Sequence, residues 1–206
     1  SINPSWLVAY YSKKKLWPWH PGVSWIFYDN VINYPLIQIR THKWRDEVIA
    51  HEAVHAVRAA LNSTKYEEIF AYMVSGSRLR QIFGPLLQGP CEAIIFLLTV
   101  FSSLLATILL PAFFLQLSLL PPLFIFICCL FRLFYRRKKL VRVEKIMAKI
   151  LLSPQKARQL LFRLNDDEID FFATNSSDAI KAYITNKKQQ DLRWRQIFTC
   201  YFSKKS

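Results

Sequence analysis

The stretch Ile49-Ala50-His51-Glu52-Ala53-Val54-His55 carries an H-E-x-x-H motif whose variable slots are small or apolar. At 100° per residue on an α-helix, His51 and His55 stand about 40° apart and one turn along, so both imidazoles reach one ion. Glu52 projects about 80° from their mean direction. That offset leaves its carboxylate off the metal and beside a water, where a general base is wanted. The motif therefore supplies two ligands and a base, and a tetrahedral site still lacks a ligand.

Working outward, Thr41 offers an N-cap, and residues 42–61 contain neither Gly nor Pro, which predicts one long helix. Trp44, Val48, His51, His55 and Arg58 share one face of it, and Ala50, Val54, Val57 and Leu61 a neighbouring apolar one. Asn62-Ser63-Thr64 breaks the pattern, and a second helix is expected from Lys65 to about Ser75, closed by Gly76. Thr64-x-x-Glu67 fits a capping box, which occupies Glu67 locally and leaves Glu68 free. An antiparallel hairpin then aims Glu68 at the ion held by the two histidines. Glu67 stays the alternative ligand, because a one-residue error in the cap exchanges the roles. Upstream, Val23–Tyr28 and Leu36–Arg40 read as strands of a small antiparallel sheet, and His20, between Trp19 and Pro21, reads as a surface histidine.

The composition adds a membrane. Hydrophobic residues make up 52% of the 206, and from Ala93 to Phe131 a run of 39 residues contains no Asp, Glu, Lys, Arg or His. A span needs roughly 20 such residues, so two are expected, about Cys91–Leu110 and Pro111–Phe131. The net charge of +14 is uneven: ten Lys and Arg stand against seven Asp and Glu before Ala93, and eighteen against seven after Phe131. The excess begins in Arg132, Arg136, Arg137, Lys138 and Lys139, where anionic head groups and the positive-inside rule account for it. Nucleic acid is the weaker partner, since no aromatic-basic motif of a known binding fold accompanies the charge. Trp6, Trp17 and Trp19 around Lys13-Lys14-Lys15 suggest an interfacial arm or an irregular segment packed on the domain. Four cysteines show neither C-x-x-C spacing nor the density of a disulfide framework, which points to a reducing compartment. The tail continues through Ser153-Pro154, Asn165-Asp166-Asp167-Glu168 and Ser176-Ser177-Asp178 as successive helix starts.

These residues resemble the gluzincin peptidases, nearest to the membrane-embedded branch that includes heat-shock zinc peptidases and prenyl-protein peptidases. The third ligand of that branch opens a Glu-x-x-Ala-Asp pattern, and Glu68-Ile69-Phe70-Ala71-Tyr72 matches its Glu and Ala but has Tyr72 for the Asp. In the family that Asp supports a metal-bound histidine, so here Tyr72 or a backbone carbonyl has to serve. The likeness spans about Ile49 to Ser75. It implies zinc held by His51, His55 and Glu68, Glu52 as general base in peptide hydrolysis, and Arg58 or Tyr72 as helpers at the oxyanion. The fold expected is mainly α with a small antiparallel β-sheet: a zincin-like domain with its N-terminal arm (1–90), two transmembrane helices (91–131) and a basic cytoplasmic helical domain (132–206). Such a chain is a multi-pass protein of a bacterial inner membrane, with its active site and both termini cytoplasmic and a peptide or membrane protein as substrate. The competing class is a membrane scaffold or lipid- and partner-binding protein whose metal site is structural or missing.

Overall fold

The computed structural model describes residues 8–16, 20–28, 33–40, 45–109 and 117–203. Three strands, β1 (Val8–Tyr11), β2 (Gly22–Tyr28) and β3 (Asn33–Ile39), form a sheet in the order β1-β3-β2. β2 runs antiparallel to β3, as expected, but β1 pairs parallel to it, so the sheet is mixed rather than antiparallel. Gln38 explains the difference. It is 2% exposed, accepts from Trp25 Nε1 (2.8 Å) and donates to the carbonyls of Ser12 (3.0 Å) and Lys14 (2.7 Å). The segment after β1 is thereby held on the sheet, although a Gln in a strand ordinarily reads as solvent-facing. On the opposite face Ile37 and Ile39 pack against Val48, Ile49 and Ala53.

The motif helix is α1 (Arg45–Ala60), and its expected start at Thr41 to Trp44 lies outside the described residues. Asn62, in the left-handed region at φ 50°, turns the chain back into α2 (Glu67–Met73). This helix is shorter than the expected Lys65–Ser75. Its N-cap residue is Tyr66, it has no side-chain cap, and no described glycine has a positive φ, so neither the Thr64 capping box nor a left-handed Gly76 forms. A short α3 (Arg78–Phe83) and a 3₁₀ turn (Gly84–Leu86) lead into α4 (Pro90–Leu109).

Among the described residues α4 is the one helix long and apolar enough to cross a membrane, and of its side chains only Ser103 is buried. The expected second span does not appear as another such helix among the described residues. Residues 110–116 lie outside the described ones, and the apolar stretch from Leu120 to Phe131 is only the start of α5 (Leu120–Leu151), which runs straight on through Arg132 and Arg136. A two-span hairpin with both termini on one side therefore does not follow. α4 and α5 are joined by the Glu92–Arg132 ion pair, and the Ser103 hydroxyl donates to the Ser118 carbonyl just before α5.

The tail forms α6 (Pro154–Leu161), α7 (Asp166–Thr174), α8 (Ser177–Gln190) and α9 (Leu192–Tyr201). Ser153, Asn165, Ser176 and Asp191 are their N-caps, and Asn165 with Glu168 makes a capping box. These helices are not detached from α1 and α2. One buried cluster joins Val54 of α1 and Phe70 of α2 to Met147, Leu160, Phe172 and Trp194. Asp166 accepts from the Lys65 backbone N–H (2.7 Å), and Asp170 from the hydroxyl of Tyr66 (2.7 Å). The acidic start of α7 thus clamps the two residues that precede Glu67 and Glu68.

Candidate metal centre

α1 sets His51 and His55 one turn apart, and their Nε2 atoms lie 3.2 Å from each other. α2, folded back against α1, brings Glu68 Oε1 to 3.8 Å from His55 Nε2, and one atom from each of the three residues lies within 4.8 Å of the others. In a tetrahedral site with metal–ligand bonds of about 2.0–2.1 Å, neighbouring ligand atoms stand about 3.3 Å apart. The two imidazoles already hold that spacing, and Glu68 is within a side-chain adjustment of it. His51, His55 and Glu68 are thus brought together as the sequence predicts, and they could hold a metal ion.

Glu67 takes a different part from either one expected of it. Its Oε1 lies 2.8 Å from His55 Nδ1. An ionised carboxylate only accepts, so Nδ1 carries a proton, and in the neutral ring Nε2 keeps its lone pair facing His51 and Glu68. His51 is hydrogen-bonded to the backbone of Ala71, and its ring meets that of Tyr72 edge-on at 4.8 Å. The Ala71 backbone and Tyr72 are therefore the groups set against His51. Tyr72 in turn lies on Gly84, where a Cβ would come within 2.3 Å of its ring.

Glu52 is 7% exposed, and its Oε2 accepts from the Ser24 hydroxyl of β2 at 2.9 Å. Burial pushes its carboxyl above the usual range, partly offset by His55 and Ser24. Burial also raises Glu68, with the Glu67 and Glu52 charges adding to it against His55. The two imidazoles diverge. Burial and the charge of His55 lower His51 to about 4, whereas the burial of His55 is outweighed by its bond to Glu67 and the charges of Glu68 and Glu52, which raise it. Three carboxylates around one imidazole make a cation sink. In metal-free protein the proton should reside on His55: ring NMR should show His51 titrating near pH 4 and His55 above its ordinary 6.5. Both rings titrating together near 6.5 would contradict this electrostatic picture.

The site opens into a cleft of about 870 Å³ whose walls include Gly22 of β2, Tyr72, Leu79 and Phe83 of α3, and Pro90 and Ala93 of α4. His20, expected at the surface, also lines this cleft. Arg58 is not: it is fully buried, stacks over Phe70 and donates to the Leu164 carbonyl and Asp166, so it cannot assist at an oxyanion. Glu47, also on the cleft wall, is held by the Ser75 hydroxyl and by Arg80 (3.3 Å). Ser24 had no signal in the sequence, since a serine in a strand alternates like any solvent-facing residue. No protein-family model matches the chain, and no curated protein or solved structure matches it.

Proposed function

We propose that the chain is a membrane-bound zinc-dependent peptidase in which His51, His55 and Glu68 hold the ion and Glu52 is the general base, the arrangement implied by its resemblance to the gluzincins. The observation that carries this reading is the convergence of the two Nε2 atoms, with the Nδ1 proton of His55 committed to Glu67. Zinc bound there would supply Lewis acidity toward water and toward a peptide carbonyl. Glu52, kept from bulk water and oriented by Ser24, takes the proton of the attacking water and returns it to the leaving amine. Tyr72, beside His51 on the cleft wall, is placed to donate toward the carbonyl oxygen. A peptide suits the cleft because β2 is bonded only to β3 among the described strands, leaving an edge that an extended chain can join. The first turn of α4 forms part of the same wall, so a substrate segment close to the membrane reaches the site.

Metal content tests the reading. Protein purified in detergent should carry about one zinc per chain, and Glu68→Gln should lose it. Glu67→Gln should keep the ion but weaken its affinity by about 10–100-fold, the usual cost of removing a partner behind a histidine ligand. A parent chain that takes up no zinc even after reconstitution would end the peptidase reading.

A further inference from the structure

The basic residues that follow the apolar stretch of α5 divide into two groups. Arg132, Arg136, Arg137 and Lys139 turn inward: they engage Glu92, the Lys65 carbonyl (2.7 Å), the Gln81 carbonyl and Asp170 (2.7 Å). Lys138, Arg142, Lys145 and Lys149 are exposed, and none of their side chains has an ion-pair or hydrogen-bond partner among the described residues. Their spacing of four, three and four residues places them within about 60° of one another around the helix, along about 16 Å of its length. The buried Leu140, Val143 and Met147 occupy the opposite side. A row of three successive like-charge neighbours weakens the helix that carries it, and nothing within the described fold offsets it.

We propose that this outward face of α5 is a docking surface for an acidic amphipathic helix of a partner protein. Charge complementarity calls for a polyanion, and two further observations choose among polyanions. Val141 (48% exposed) and Leu152 (90%) flank the basic row on one side. A phosphate backbone would leave those side chains without contact, whereas a helix with apolar residues beside its acids covers both. The Glu92–Arg132 pair sets the level at which α4 begins, and from there the row extends from about 9 to about 25 Å along α5, beyond a head-group layer about 5–7 Å deep. Excluding lipid in this way rests on α4 as the membrane crossing proposed above. The docking itself does not depend on peptidase activity.

The test uses the full chain in neutral-detergent micelles and a fluorescent helical peptide with Glu at positions i, i+4, i+7 and i+11 and apolar residues beside them. The peptide should bind at least about tenfold more tightly than one of the same composition in shuffled order. K138Q/R142Q/K145Q/K149Q should lose about tenfold or more of that affinity, and a control neutralising the exposed Lys156, Lys181, Lys188 and Arg195 should keep it. V141D/L152D, which leaves every cation in place, should weaken binding as well, and it keeps the test decisive if the fourfold variant does not fold. Equal losses in the fourfold variant and its control, equal binding of both peptides, a duplex oligonucleotide binding more tightly than the peptide, or affinity only for micelles doped with phosphatidylglycerol would each overturn the proposal.

Discussion

Replacing Glu52 by glutamine is expected to lower turnover about a hundred- to ten-thousand-fold while zinc per chain stays at the parent's level. Glutamine has the same shape, and its amide oxygen can still accept from the Ser24 hydroxyl, so the seat of the side chain survives. What disappears is the ability to take a proton. In the metal-free chain burial holds the Glu52 carboxyl above the ordinary carboxylate range, and the glutamine variant should lack that titration. The measurement is cleavage of a quenched peptide library alongside metal analysis of the same preparation. Turnover that survives the substitution with zinc in place would remove Glu52 as the base and leave a structural metal site, which is the scaffold reading.

Arg58→Ala is expected to lower stability by about 3–5 kcal/mol, the range for breaking a buried ion pair by removing one partner. The guanidinium has no exposure and reaches both the Leu164 carbonyl and Asp166, so its loss strands two acceptors and opens a void over Phe70. Asp166 keeps the Lys65 backbone N–H, which favours the lower end of the range. Denaturant or thermal unfolding in detergent measures it. Turnover per folded molecule should change little, because Arg58 faces the tail and not the cleft. A large drop in turnover with stability intact would instead return Arg58 to the chemistry.

Both expectations depend on features that differ in how readable they were. The H-E-x-x-H spacing on a helix free of Gly and Pro is a local property, and so are the apolar α4 and the N-caps Ser153, Asn165 and Ser176. Each is settled within a few residues by helical geometry or by one side chain reaching a nearby N–H. From Glu68 the sequence could argue only a hairpin, and the register of that hairpin left Glu67 as its rival.

The tertiary structure decided the rest. Lys65 and Tyr66 are gripped by Asp166 and Asp170, about a hundred positions further on, and that grip brings Glu68 to the histidines and Glu67 behind His55. Arg58, drawn from the motif face into the core by Leu164 and Asp166, follows the same rule, and so does β1, held parallel to β3 through Gln38. Periodicity and capping act over one or two turns and are written in adjacent residues. The partner of a buried charge or amide is chosen by whichever distant segment packs against it, because an unpaired polar group in the interior costs more than any local preference.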